Sequence, residues 1–365
     1  MTSMKQATDQ LVHAIRNQQA GVRITGFSGS LEKAIMNALA ADRRLMMYLG
    51  GYQASYQKMG GMLNPMADYD VTLEYQENIP PKIDDVVIFD PTWDPVKLYR
   101  GKLPDIVYMV TDDVKAAEQK ISEALDPLMA ANEGLHGWSF ETMAFDKLTR
   151  DTAMRLTFQF YKPLPELRQL QAKARFAAKN IWRDILKRAV VPAFVKPFLA
   201  FSYLAQEGHY DDVVLDEVRR TGDSTNVIPH LAYGPLVEKN GVCDGYAWAF
   251  KTLMDEAGIE CSCVTGFLKD DMSLGHMWNL VKIDGQYYHV DVTTSIKSPG
   301  VHVSWLMQPD NMMRPSHQWD ETKFPPARGA RLGYDYLEDY LADEGGAFLD
   351  DGANEKYMFP DEIYD

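Results

Sequence analysis

The sequence is poor in the features that mark disulfide-rich, membrane-spanning and nucleic-acid-binding proteins. It contains three cysteines in 365 residues, and an odd number argues against a disulfide framework. No apolar run approaches the roughly 18 uninterrupted residues of a membrane-spanning helix. The 37 Lys and Arg residues are outnumbered by 52 Asp and Glu residues. The net charge of −15 that results argues against general binding to nucleic acid.

The first residues also lack the apolar core of an export signal. The N-terminus leads instead into a predicted amphipathic helix that carries Leu11, Val12 and Ile15. We therefore expect a cytoplasmic protein, or a secreted one if the natural chain begins further upstream. Apolar residues make up 46% of the chain, which is enough for a sizeable core. The length predicts two or three domains of about 150 residues each.

One stretch, GVCDGY at positions 241–246, organises the prediction of function. A helix is predicted from Cys243, because apolar residues recur after it at three- and four-residue spacing and Gly258 suits a left-handed helix end. Cys243 would then lie at a helix N-terminus, where unpaired N–H groups and the helix dipole favour the thiolate. Taken alone, a free cysteine is more often an inert core residue.

A β-hairpin is predicted further along the chain, with the Asp-Gly pair at 284–285 as its two-residue turn. That turn fixes the register, so that Ile283 faces Gln286 and the pairing continues outward residue by residue. His276 and Asp291 then become diagonal neighbours on one face, about 7–8 Å apart at the backbone. A carboxylate in that place can hold an imidazole in one tautomer and orientation.

Three segments with this spacing resemble the core motifs of the transglutaminase-like superfamily, a family of papain-like cysteine enzymes. They read GVCDGYA from position 241, GHMWN from 275 and YHVDVT from 288. The resemblance covers roughly positions 200 to 325, including flanking segments that are common in bacterial members. One of these flanking segments is followed by His317.

The resemblance implies both a fold and a chemistry. The fold is α+β, with a papain-like core in which one helix packs on an antiparallel sheet. The chemistry is acyl transfer from an amide, with Cys243 as nucleophile, His276 as general base and acid, and Asp291 as the residue that orients the histidine. No cofactor and no metal are required. The spacing of Cys261 and Cys263 is poor for zinc, and we interpret them as core thiols.

Three interpretations of the activity stay open at this point. Hydrolysis of a peptide or protein amide by a cysteine peptidase or amidase is favoured, because bacterial relatives lack the multidomain build of the animal cross-linking enzymes. Protein-glutamine cross-linking uses the same triad with an amine as acceptor. A non-catalytic binding scaffold would keep the fold without the reaction, and the presence of all three triad residue types weighs against it. The expected partner is a protein or peptide substrate.

Four further residues belong to the predicted site or its surroundings. Tyr233 or His230 could join the backbone N–H of the nucleophile in stabilising an oxyanion, since the family uses a side chain from this upstream region. Trp278 is expected to cover the site or to pack beneath it. His289 shares a strand face with the predicted base, and we expect it to hydrogen-bond locally.

The N-terminal half contains two similar units ahead of the catalytic region. Residues 20–76 and 104–162 each show a strand, a helix, an aromatic stretch and an alternating strand. They predict two small α+β modules, which either bind a protein partner or act as spacers. The predicted domains are the two modules at 1–90 and 91–165, the catalytic domain at 166–328 and an acidic segment at 329–365. A turn-rich linker is predicted between the modules, at 90–95. A basic helix is predicted from 164 to about 189, with a solvated charged face.

Overall fold

A computed structural model describes residues 1–59, 65–76, 82–89, 106–143, 152–297, 300–329 and 332–364. The chain divides into two compact units, the first formed by Met1–Leu125 with Gly137–Gln159 and the second by Asp126–His136 with Phe160–Asp365. The four-part division expected from the sequence stays a prediction. The linker predicted at 90–95 lies outside the described residues. No helix in the described ranges is long and apolar enough to cross a membrane.

Two strand–helix–strand–strand repeats make up most of the first unit, in the order that the sequence predicts. The elements that lie wholly or mainly in this unit are α1 (Met4–Arg16), β1 (Gly21–Phe27), α2 (Leu31–Ala41), α3 (Leu45–Tyr48), β2 (Leu49–Met59), β3 (Met66–Tyr75), β4 (Ile88–Phe89), β5 (Ile106–Thr111), α4 (Val114–Ala131), β6 (Leu135–Met143) and β7 (Thr152–Phe160). The first sheet has the strand order β1-β3-β2, and the second has the order β4-β5-β7-β6. Apart from the short added strand β4, the two sheets have the same topology.

The second unit contains an antiparallel sheet with one long helix against it. Its elements are α5 (Leu164–Leu186), α6 (Lys196–Glu207), β8 (His209–Tyr210), α7 (Asp212–Thr221), a π-helical turn (Gly234–Glu238), β9 (Asn240–Gly241), α8 (Cys243–Glu256), β10 (Cys261–Leu268), β11 (Asp271–Ile283), β12 (Gln286–Val290), α9 (Thr293–Ile296), β13 (Val301–His302), α10 (Asp310–Met313), β14 (His317–Trp319), α11 (Tyr334–Asp350), α12 (Glu355–Met358) and β15 (Ile363–Tyr364). The main sheet has the order β12-β11-β10-β14. The fold is therefore α+β, as predicted.

Helix α8 forms the centre of the core of this unit. It begins at Cys243, as predicted, and the chain leaves it through Gly258, whose φ of +73° is left-handed. Phe250, Leu253 and Met254 on its buried face are fully inaccessible to solvent. Burying a side chain of this kind contributes about 1.5–3 kcal/mol relative to leaving it exposed.

The acidic C-terminal segment packs on the same core. Leu337 and Leu341 of α11 and Met358 of α12 are buried there. The backbone N–H of Asn354 donates a hydrogen bond of 2.7 Å to the carbonyl oxygen of Ile185, at the end of α5. The segment is therefore an integral part of the second unit.

The β11–β12 hairpin has the register that its turn predicts. Ile283 pairs with Gln286, and the ladder runs outward to the pair Asn279–Val290. Both turn residues are left-handed, with φ of +49° at Asp284 and +78° at Gly285, as a type I′ turn requires. Asp291, directly after the last ladder pair, is placed by this register.

The connection between β10 and β11 is short. Strand β11 already begins at Asp271 and leaves only positions 269 and 270 as a turn. The ladder passes from Phe267–Gly275 to Leu268–Asp271, so a bulge absorbs the three extra residues. Asp271 holds the start of the strand, because its Oδ1 accepts hydrogen bonds from the backbone and hydroxyl of Ser273.

Alanine in place of Gly285 is expected to destabilise the second unit. The added Cβ would meet no atom within 4 Å, so the cost comes only from the left-handed backbone and should be about 1 kcal/mol. Gly346→Ala provides the matched control, because Gly346 lies in α11 with equally open space around it. There alanine favours the helix by about 0.5–1 kcal/mol. Urea unfolding should therefore give changes of opposite sign in the free energy of unfolding of the two variants. A Gly285→Ala variant as stable as the wild type would contradict the assigned turn.

Candidate active site

Cys243 occupies the first position of α8 and is half-buried in the wall of a cavity. The preceding residue, Val242, is extended and gives the helix no side-chain cap. The sulfur therefore lies at the positive end of the helix dipole. The cavity has a volume of about 590 Å³, and His276 lines it together with Cys243.

His276 and Asp291 form a buried pair, as the hairpin register predicts. Nε2 of His276 lies 2.7 Å from Oδ2 of Asp291, and the two side chains are 6% and 1% exposed. Burial alone would lower the pKa of His276, but the Asp291 carboxylate, helped by a hydrogen bond that the imidazolium donates to Cys243, raises it to about 10. Because a carboxylate only accepts hydrogen bonds, the Nε2 that faces it carries a proton. The other ring nitrogen, Nδ1, is then available to interact with the Cys243 thiol.

Asp291 stays ionised although it is buried. Burial would raise its pKa, but the two imidazoles of His276 and His317 hold the pKa well below its usual range. Its other oxygen, Oδ1, accepts a hydrogen bond of 2.9 Å from the backbone of Thr293. Its own N–H donates to the carbonyl of Trp305 at 2.9 Å. The carboxylate is thus fixed on both sides.

The structure brings His317 into the site, although no pattern in the sequence places it there. Its Nε2 lies 3.1 Å from Oδ2 of Asp291, the oxygen that also contacts His276. His317 begins β14, which pairs with β10 at Leu268. No spacing rule connects positions 317 and 291, because mostly irregular chain runs between them.

Tyr210 is a second residue near Cys243 that no sequence pattern assigns to the site. Strand β8 pairs in parallel with β9, which ends just before the cysteine, so Tyr210 lies opposite Gly241. Its hydroxyl hydrogen-bonds to the backbone of Cys243, and its pKa is raised, chiefly by burial. Two strands of two residues each carry no periodic pattern by which this pairing could be predicted.

The structure brings one of the two upstream candidates to the cavity. His230 lines it, with Nδ1 2.9 Å from Oδ2 of Asp244, while its buried Nε2 has no hydrogen-bond partner among the described residues. Tyr233 instead lines a separate groove against α5, with the Lys173 ammonium 5.9 Å from its ring. Tyr233 immediately precedes the π-helical turn, which contacts α5.

Trp278 packs beneath the imidazole of His276. It is 1% exposed, and its ring stacks on that of His276 at a centroid distance of 5.9 Å. Its indole N–H donates to Nδ1 of His289 at 3.0 Å, and Nε2 of His289 lies 2.9 Å from Oδ1 of Asp310. Both nitrogens of His289 are therefore engaged locally, as predicted.

Apolar side chains form most of the cavity wall. They are contributed by Met129, Leu215, Val218, Phe267, Leu274, Met277, Trp319 and Phe324. Lys323, also in the wall, lies 3.4 Å from Asp126 and 3.7 Å from Asp320, so these charges largely offset one another. A cavity of this size and lining suits a short peptide segment with apolar side chains.

His276, Asp291 and His317 are also the residues that could hold a metal ion, since their ligand atoms lie within 4.8 Å of one another. In the structure these atoms already satisfy one another through hydrogen bonds. Cys261 and Cys263 are buried in the core, where burial raises the pKa of Cys261 to about 12 and that of Cys263 well above its usual range. This agrees with their interpretation as inert core thiols.

Comparisons with known proteins give a family and two structural likenesses. No curated protein matches the chain. A solved structure described as a TGase shares 12% identity with a TM-score of 0.28, over 57% of this chain and 59% of that one. Another, described as a "putative cysteine protease" from Cytophaga hutchinsonii, shares 14% with a TM-score of 0.26, over 43% and 62%. The chain thus spans about three-fifths of the length of each protein.

The likeness to a family comes from a sequence match and not from these two structures. Residues 198–292 match the family model of the transglutaminase-like superfamily. The matched range contains Cys243, His276 and Asp291. This segment of the chain is therefore similar to the transglutaminase-like superfamily.

Proposed function

We propose that the second unit catalyses thiol-dependent acyl transfer at amide bonds, with hydrolysis of a peptide or protein as the outcome. One observation carries the proposal: His276, hydrogen-bonded to Asp291 at 2.7 Å, lines the same cavity as Cys243 at the start of α8. A nucleophile, a base and a group that orients the base are the parts that such a reaction needs.

In the first half of the proposed reaction, the thiol proton has already passed to Nδ1 of His276, and the Cys243 sulfur attacks the amide carbonyl carbon while the imidazolium holds that proton. The positive end of α8 favours the negative charge that develops on the carbonyl oxygen. The imidazolium then gives its proton to the leaving nitrogen, the C–N bond breaks, and a thioester remains. Asp291 stabilises the imidazolium during this step.

In the second half, water enters as the acyl acceptor. As the water oxygen attacks the thioester carbon, His276 takes a proton from the water. It gives this proton to the sulfur as the C–S bond breaks. The products are a carboxylic acid and the free thiol, so each proton removed is returned. An amine in place of water would give cross-linking through the same steps.

His230 is the upstream residue that we propose to contact the substrate. Its Nε2 is buried at the cavity wall with no hydrogen-bond partner in the part of the chain that the structure describes, and Asp244 holds the other nitrogen. An unsatisfied buried polar atom costs about 1–3 kcal/mol, which a substrate carbonyl or amide group would remove. Tyr233, in its separate groove, is not included in this proposal.

Casein incubated with a fluorescent primary amine separates the possible activities. We expect release of acid-soluble peptides without incorporation of the amine, at a rate that His276→Ala reduces to the background. Incorporation of the amine into casein would favour cross-linking. A folded protein that gives neither product from casein or from a library of short peptides would support the scaffold.

A further inference from the structure

The carboxylate of Asp291 has more donors than an orienting residue needs. Oδ1 accepts from the backbone of Thr293 at 2.9 Å, and Oδ2 lies 2.7 Å from His276 and 3.1 Å from His317. Since the carboxylate is ionised and accepts only, the facing nitrogen of each imidazole must carry a proton. Two histidines therefore share one carboxylate oxygen.

His317 is held in this position from several sides. Its side chain is 1% exposed, and its Nδ1 lies 2.7 Å from the hydroxyl of Ser316. The indoles of Trp278 and Trp305 contact its ring edge to face, with centroids at 5.0 and 5.3 Å. With Nδ1 bound to Ser316, the Nε2–H is directed at Asp291.

The contact with His317 limits the positions that Asp291 can adopt. Without His317, only the backbone N–H of Thr293 on Oδ1 and His276 on Oδ2 would hold the side chain, and the carboxylate could turn about the line between these two donors and carry the imidazole with it. A second donor on the same oxygen removes that freedom and helps to keep a fully buried carboxylate charged. Polar groups around an orienting residue act in this way at other catalytic sites.

We propose that His317 is a positioning residue for the thiol reaction: it holds the Asp291 carboxylate in place, and through it the imidazole of His276. This inference rests on the proposed function of Cys243 and His276 and extends it by one residue. His317 does not line the cavity, and it acts only through Asp291.

Alkylation of Cys243 by iodoacetamide at pH 7 tests the proposal without a known substrate. His317→Leu fills the space but removes the donor, and should slow the labelling about tenfold. His317→Gln keeps an N–H donor and should restore most of the rate. If His317 only fills space, leucine among the surrounding rings should serve at least as well as glutamine, so equal rates in the two variants would overturn the proposal.

Two further measurements keep the result interpretable. Ser316→Ala, at a half-buried site outside the cavity, removes the hydroxyl that fixes His317, and we expect it to slow the labelling of Cys243 several-fold. An unchanged labelling rate in this variant would count against the proposal, even if the His317 variants fail to fold. Wild-type labelling no faster than that of His276→Ala would instead refute the proposed function itself. Fast wild-type labelling that none of the variants alters would refute only the role of His317.

Discussion

Replacing Cys243 with alanine is expected to abolish acyl transfer, lowering kcat/KM by at least about a thousandfold. The substitution removes the only thiol among the described residues that lines the cavity. It leaves the core of α8 intact, because the buried apolar face of the helix begins at Tyr246 and not at the cysteine. The variant should therefore lose its activity while it keeps its stability.

The matched control is Cys261→Ala. Cys261 is buried on β10, and its thiol has a pKa raised by burial to about 12. This variant should keep its activity while losing a small part of its stability. Peptide release from casein and the melting temperature should be measured together for both variants. Full activity in Cys243→Ala would show that another group is the nucleophile.

Asp291→Asn is expected to have the second largest effect, a loss of about a thousandfold or more in kcat. An amide nitrogen in place of Oδ2 would face the imidazole with a donor, which favours the wrong tautomer of His276. An amide oxygen in that place would keep the tautomer but lose the charge that stabilises the imidazolium. Either orientation also weakens the contact with His317.

The pH dependence of kcat/KM should show the effect of removing the negative charge of Asp291. The leaving amine needs the protonated form of His276, whose pKa is about 10 against 6.5 for an unperturbed imidazole. Because the pKa is raised, the imidazolium is present below that value and is lost as the pH rises through it. The alkaline limb of kcat/KM should thus lie near pH 10 in the wild type and move towards neutrality in Asp291→Asn.

Asp310→Asn provides the matched control for this experiment. Asp310 faces His289 at 2.9 Å, in a second buried His–Asp pair of the same unit. Neither residue lines the cavity. The variant should lose stability but keep the alkaline limb of the wild type. An equal shift of the limb in both variants would mean that it does not report on His276.

The parts of the site that short-range rules control could be predicted from the sequence. The helix start at Cys243 follows from the apolar spacing after it. The pairing of His276 with Asp291 follows from a two-residue turn, because a type I′ turn leaves the two strands only one register. Both features depend on residues that are close along the chain. The two N-terminal repeats were predictable for the same reason, since each strand and helix has its own period.

The rest of the site depends on contacts between distant or irregular segments. His317 reaches Asp291 through the pairing of β14 with β10, and Tyr210 reaches Cys243 through two very short strands. Tyr233 and His230 are three positions apart, yet a 3₁₀ turn and a π-helical turn send them to different surfaces. No local pattern in the sequence fixes the direction of such turns.

The reactivity of the three cysteines tests the central claim most directly. The native protein would be treated with iodoacetamide at pH 7, and the labelled peptides would be quantified over time by mass spectrometry. We expect Cys243 to react at least tenfold faster than Cys261 and Cys263, whose thiols burial holds in the protonated form, and we expect His276→Ala to remove that advantage. Equal and slow labelling of all three cysteines would contradict an activated thiol at the start of α8.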